Sequence, residues 1–349
     1  MKKKLLIITL VVLLPLLLAA DIFPKSATAG VQFLKLGIDA RAIGMGEAYT
    51  AVTNDISSVY WNPAGLALST QNQVFYSHTE WVADIQHEYF AASRYYDFGV
   101  LAFSMSYLHM PEMEVTTEEQ FGPTGEMFNC YDLAAGLSYA NQFTDKFSFG
   151  FTVKYIREEL DEYVATGLYD WGSFAFDLGT LYNTGWNNIT IGMAMRNFGP
   201  DMEFDVDEDG DGQYDEDVFD LLDNDGDGLI DEDRDEMPFK LPMNFSLAIA
   251  GDVFRNPDES SYLLASLQLD SYVDRQETYN LGAEYKIGKF FLRSGYQFEY
   301  DAAGFSCGMG FIIPTSSFII MLDYSYSDFG DLTESFIETP QRFTIKLLY

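Results

Sequence analysis

The carboxylates between residues 201 and 236 have the types and the spacing to hold a metal. This stretch carries 19 Asp and Glu against a single basic residue, Arg234. Asp207-Glu208-Asp209-Gly210-Asp211-Gly212-Gln213-Tyr214-Asp215-Glu216-Asp217 recurs as Asp223-Asn224-Asp225-Gly226-Asp227-Gly228-Leu229-Ile230-Asp231-Glu232-Asp233, offset by sixteen residues and identical at eight of eleven positions. Carboxylates at alternate positions followed by glycine set hard oxygen ligands on one tight loop, which is what Ca²⁺ requires. The candidate ligands are Asp205, Asp207, Asp209, Asp211, Asp215 and Glu216 in the first copy and Asp223, Asp225, Asp227, Asp231 and Asp233 in the second. The first copy also reads as an EF-hand loop, with Asp205, Asp207, Asp209, Gly210 and Glu216 at positions one, three, five, six and twelve. In the register common to both copies, position twelve is Val218 or Arg234, and no flanking helices are evident. The pattern is nearer to the Asp-rich calcium loops of extracellular modules, which bind at about 10⁻⁴–10⁻³ M. The competing reading is a solvated acidic loop with no specific ion.

Other chemistry is sparse. The three histidines are His78, His87 and His109, and a cluster with Ser77 or Ser106 is conceivable. No Gly-x-Ser-x-Gly and no metal-ligand spacing accompanies them, so the expectation is a protein that is not an enzyme. Gly44-Met45-Gly46 lacks the third glycine of a dinucleotide loop. The formal net charge of −34 opposes binding to phosphate and excludes nucleic acid as a partner. Cys130 and Cys307 make no disulfide framework and read as unpaired residues.

The elements that must position these residues are strands. At the N-terminus, Lys2, Lys3 and Lys4 precede an apolar run from Leu5 to Leu18, the pattern of a signal peptide over residues 1–29. Cleavage fits after Ala20 or, with the better small-x-small match Ala27-Thr28-Ala29, after Ala29. No other stretch has the apolar length of a spanning helix, so a membrane protein with this sequence must be a closed barrel. The last residues agree. Phe343, Ile345, Leu347 and Tyr349 share one parity and Arg342, Thr344 and Lys346 the other, as expected of a wall between lipid and water. This strand resembles the terminal signal by which outer-membrane barrels are recognised for insertion.

After residue 71 the alternation recurs as strands at 72–80, 85–97, 98–109, 127–141, 147–159, 171–183, 188–198, 241–254, 260–270, 275–287, 289–300, 303–313, 316–327 and 339–349. The connections sort by parity. Asp97, 142–146, 184–187, 255–259, Gly288 and Pro314-Thr315 are short, whereas 110–126, 160–170, 199–240 and 328–338 hold the long loops. Short turns belong on the periplasmic side and long loops outside. The fold expected is all-β: a 14-stranded antiparallel transmembrane β-barrel over 72–349, with an extracellular acidic loop at 201–236 and both termini periplasmic. A secreted β-sandwich is the alternative that also alternates.

Residues 30–71 do not read as strands. Glycines at 44 and 46 permit close backbone approach, Asn62-Pro63 marks a turn, and small residues abound, so the segment fits a hatch or plug inside the barrel. Here the chain resembles a known family. Ala40-Arg41-Ala42-Ile43-Gly44-Met45-Gly46 and Trp61-Asn62-Pro63-Ala64-Gly65-Leu66 are similar to the N-terminal signature of the PorV/PorQ family, itself related to the FadL-like barrels. The resemblance marks Gly44, Met45, Gly46, Asn62, Pro63 and Ala64 as hatch-motif residues. It implies an outer-membrane component of type IX secretion that acts in export or surface attachment of cargo proteins, with secretion components as partners. The FadL side of the resemblance implies instead a transporter of hydrophobic small molecules.

Overall fold

The computed structural model describes residues 29–116, 124–125, 127–159, 171–201, 239–299, 304–328 and 339–349. The expected signal peptide apart from Ala29, and every candidate calcium ligand from Asp205 to Asp233, lie outside the described residues. Fourteen antiparallel strands close into a barrel. They are β1 (Gln73–Glu80), β2 (Gln86–Tyr96), β3 (Gly99–His109), β6 (Tyr131–Thr144), β7 (Phe147–Glu159), β8 (Trp171–Asn183), β9 (Thr190–Phe198), β10 (Asn244–Arg255), β11 (Ser261–Tyr272), β12 (Thr278–Ile287), β13 (Phe290–Phe298), β14 (Phe305–Pro314), β15 (Ile319–Ser327) and β16 (Gln341–Leu348). Each strand pairs with its neighbour in sequence, and β1 closes on β16 in a register running from Gln73↔Leu348 to Glu80↔Gln341. No helix among the described residues is long and apolar enough to cross a membrane.

One expected strand is divided. Residues 127–141 were expected to form a single strand, but Met127–Phe128 (β5) pairs with Met113–Glu114 (β4) in a separate ribbon. The barrel strand begins at Tyr131 and continues to Thr144, with a register shift between Gln142 and Thr144. Alternation reads alike in a ribbon and in a wall, so periodicity alone does not expose the break at Asn129-Cys130.

The strands carry polar residues inward and apolar residues outward. On β16, Arg342, Thr344 and Lys346 are buried, whereas Phe343 and Ile345 are each 49% exposed. On β13, Arg293 is buried and Phe290, Leu292 and Tyr296 face out. Exposed apolar side chains with buried polar ones fit a barrel in lipid.

The inward groups are buried because residues 31–68 pack among them. The short helix Ala40–Gly44 contacts β13, β14, β15 and β16, while the 3₁₀ turn Pro63–Leu68 contacts β6, β7 and β8 on the opposite wall. Three apolar patches anchor the segment. Val31, Phe33 and Leu34 meet Ala134, Ile156, Ala175 and Leu241. Ile43 and Met45 meet Ala248 and Ala250. Ile38, Ile56, Val59 and Leu66 meet Phe75, Tyr89 and Ala91.

The segment crosses the barrel once. Ala29 pairs in parallel with Lys240, at the mouth holding the β9–β10 and β1–β2 connections. Asn72 and Tyr349 exchange backbone hydrogen bonds at the other mouth. Ala29 and Tyr349 therefore lie at opposite mouths, while the residues before Ala29, on which the expectation of two termini on one side depends, lie outside the described residues. Strand parity begins at β1 and does not register the single pass that precedes it.

Candidate functional site: the N-terminal segment against the barrel wall

Asp39 begins the helix Ala40–Gly44. Its backbone has φ 72, and its Oδ1 accepts from the Arg41 amide at 3.1 Å, capping the helix. Its Oδ2 accepts from Lys346 Nζ at 2.8 Å, and the same ammonium donates to Asp55 Oδ2 at 2.8 Å. Arg41 engages Glu284 through Nε at 2.8 Å and Nη2 at 2.9 Å, and donates through Nη1 to Tyr49 and Asn54. Glu284 also accepts from Arg293 Nε at 2.7 Å, and Arg293 Nη1 reaches Asp323 at 2.6 Å. Wall and segment thus share one buried chain of charges. Buried ions are tolerated only when paired and hydrogen-bonded, so each member fixes the place of the next.

Neutral contacts continue the grip. Gln268 Oε1 on β11 accepts from the amides of Tyr49 and Thr50 at 3.0 and 2.9 Å. Asn62 Nδ2 donates to Thr50 O at 2.9 Å and to Thr180 O on β8 at 3.1 Å, while its Oδ1 accepts from the Ala64 amide. Pro63 lies against Gly150 and Gly179, where a Cβ on either glycine would collide with it. Gly46, at φ 62, lies so close to the backbone of Gly295 and Tyr296 that a side chain there has no room. The hatch-motif residues Gly44, Met45, Gly46, Asn62, Pro63 and Ala64 therefore all sit inside the barrel, on two opposite walls.

Two cavities flank this packing. A cavity of about 200 Å³ is lined by Arg41, Asn54, Leu68, Asn183, Asp252 and Tyr262, near the mouth of the short turns. A smaller one of about 40 Å³ is lined by Ile43, Glu47, Trp81, Ser306 and Arg342, near the mouth of the long loops. The turn from Arg41 to Glu47 stands between them.

At the long-loop mouth, Asp274 accepts from Lys35 Nζ at 2.7 Å and Gln32 Nε2 at 2.9 Å. Burial would raise the Asp274 carboxyl, but the hydrogen bonds from Lys35 and Gln32 outweigh it and hold the group below the ordinary carboxylate range.

The histidines are not brought together as a cluster. His78 pairs with Glu88 at 2.6 Å, His87 Nε2 meets Ser106 Oγ at 2.7 Å inside the barrel, and His109 stacks on Tyr107. Ser77 lies 3.3 Å from Thr344 instead of any imidazole. Among the described residues no group of three or more acidic, His or Cys side chains could hold a metal. Both cysteines are free. Of the terminal residues, Phe343, Ile345 and Tyr349 are exposed and Leu347 is half-buried, and Tyr349 also exchanges backbone hydrogen bonds with Asn72.

Sequence reasoning missed Glu284, Arg293, Gln268 and Lys346 as partners of the N-terminal segment. Their signal was only partial: ionised or amide groups at inward positions of strands require a polar lumen, and water meets that need as well as polypeptide does. Glycines inside strands at 150, 179, 282 and 295 were a second signal, since they mark close backbone approach.

The fold and the filled lumen define a fourteen-stranded outer-membrane barrel of bacteria. The family described as "Type IX secretion system protein PorV" matches residues 21–233, and the chain belongs to that family. Among solved structures it is similar to the toluene transporter TbuX of Ralstonia pickettii, at 12% identity and a TM-score of 0.53, with 90% of this chain and 97% of that one covered. It is also similar to the toluene transporter TodX of Pseudomonas putida, at 14% identity and a TM-score of 0.52, with 89% and 96% covered. At such identities the likeness is one of fold. Comparison with curated protein sequences finds no match.

Proposed function

We propose that this barrel acts at the bacterial surface in type IX secretion, in export or surface attachment of cargo proteins, with the N-terminal segment as its hatch. Membership of the PorV family supports the reading. The structural observation that carries it is the packed lumen: the turn Arg41–Glu47 separates the two cavities and is anchored to Glu284 through Arg41, and Gln268 holds Tyr49 and Thr50 just beyond it. A filled barrel suits a component that presents a surface to protein partners. In this reading the mouth of the long loops faces outward, Ala29 lies there, and Tyr349 lies on the periplasmic side. The loop 201–236 then stands outside the cell, where Ca²⁺ at extracellular concentrations would neutralise its carboxylates. Catalysis has no part in this reading; lipid hydrolysis by the purified protein, lost in His87→Ala, would contradict it.

The second reading is transport of hydrophobic small molecules, favoured by the fold shared with the two toluene transporters. Pull-down of the protein from its native outer membrane, with mass spectrometry of protein and lipid, separates the two. Co-purified exported proteins with a common C-terminal domain support secretion, and a lipid or apolar solute held in stoichiometric amount supports transport.

A further inference from the structure

Three inward residues of the last strand contact the N-terminal segment. Arg342 Nε donates to Gly37 O at 3.1 Å, Thr344 Oγ1 accepts from the Ala40 amide at 2.9 Å, and Lys346 Nζ reaches Asp39 and Asp55. The first strand holds the same segment from the other side of the seam. Gln73 Oε1 accepts from the Ile56 amide at 2.9 Å, and Phe75 packs against Ile56 and Val59. Across the seam, Ser77 Oγ meets Thr344 Oγ1 and Lys346 Nζ lies 5.7 Å from the Phe75 ring centroid. The two strands that close the barrel are therefore bridged by a segment covalently attached to one of them.

We propose that the N-terminal segment is the template on which the barrel closes, with Asp39 and Asp55 capturing Lys346 so that β16 is delivered to β1. The physical need is clear. Pairing β1 with β16 joins the two ends of the strand series, the least local contact in the barrel, and loop-closure entropy makes such pairings slow. A segment already packed beside β1 offers β16 two carboxylates and a backbone amide before any ladder hydrogen bond exists. Opposite charges attract over a longer range than a backbone hydrogen bond, so capture precedes zippering.

The template makes a kinetic claim that a merely stabilising contact does not. Contacts formed in the closing transition state change the rate of closure, whereas contacts formed later change the rate of opening. The full chain is unfolded in urea and diluted into detergent micelles, and closure is followed by the appearance of the band that resists SDS until boiled. Lys346→Met is expected to slow closure by about a hundredfold or more, with little change in the unfolding rate. Thr344→Val, a milder change should Lys346→Met fail to fold, is expected to slow closure by about threefold. Gln268→Leu removes an equally buried contact far from the seam and is expected to speed unfolding while leaving closure unchanged. The proposal is overturned if Thr344→Val changes only the unfolding rate, or if Gln268→Leu slows closure as much as the seam variants do.

Discussion

Lys346 Nζ on the last strand lies 2.8 Å from Asp39 Oδ2 in the segment that precedes the first. Both side chains are fully buried, and Asp55 completes the triad at 2.8 Å. Removing the ammonium alone leaves Asp39 buried with no paired cation and Asp55 with only Arg41, 3.6 Å away. Lys346→Met is expected to lower stability by about 3–5 kcal/mol, seen as a lower urea midpoint in detergent. Adding Asp39→Asn and Asp55→Asn to that variant should restore most of the loss, since the cost lies in the uncompensated charge.

Glu284 is the second anchor. It receives two hydrogen bonds from Arg41 and one from Arg293. Glu284→Gln should release Arg41 and loosen the turn between the two cavities, at a cost of about 3–5 kcal/mol. Limited proteolysis should then cut between Arg41 and Asn54 in the variant under conditions where the parent chain resists.

The single pass of the N-terminal segment sets the sidedness of the barrel. With Cys130 and Cys307 replaced by serine, Lys240→Cys reports the mouth where Ala29 lies and Asp145→Cys the opposite one. A membrane-impermeant maleimide should label Lys240→Cys on intact cells, and Asp145→Cys only after the outer membrane is opened. The reverse pattern would invert the proposed orientation.

Calcium is expected to protect residues 201–236 from protease at millimolar concentration. Without the ion, 19 acids so close in sequence repel one another. Equal cleavage with calcium and with chelator would leave an acidic loop and no site.

Asp274 predicts a pH response at the long-loop mouth. Its folded carboxyl is held below the unfolded value of about 3.9, so it contributes fully above that pH and loses its contribution as pH falls through the folded value. Hydrogen exchange at the amides of Leu34 and Leu36, beside Lys35, should report weaker protection at pH 3 than at pH 6 after correction for intrinsic rates. In Asp274→Asn the difference should disappear.

The wall was legible in the sequence because period-two alternation carries it strand by strand, from Phe147–Tyr155 to Phe343–Leu347. Turn chemistry at Gly288 and at Pro314-Thr315 placed the hairpins, and the parity of the connections follows the two mouths. The break at Asn129-Cys130 was not legible, since β5 and β6 alternate in the same phase. The interior of 30–71 was legible only as composition: small residues, Gly44 and Gly46, and an Asn62-Pro63 turn. Its contacts were not, because they join residues far apart in the chain. Nothing local to Lys346 says that its partner is Asp39, and nothing local to Gly295 says that Gly46 presses against it. The direction in which the segment crosses the barrel is likewise set by the pairing of Ala29 with Lys240.

The role in secretion is tested most directly by what the native protein holds. The barrel, isolated from its own outer membrane in mild detergent by an affinity tag inserted between residues 160 and 170, which leaves the terminal strand intact, is analysed by mass spectrometry for bound proteins and bound lipids. Exported proteins that share one C-terminal domain are expected, lost when that domain is deleted from the cargo. A preparation free of such proteins, carrying an apolar solute in one-to-one amount, would contradict that role.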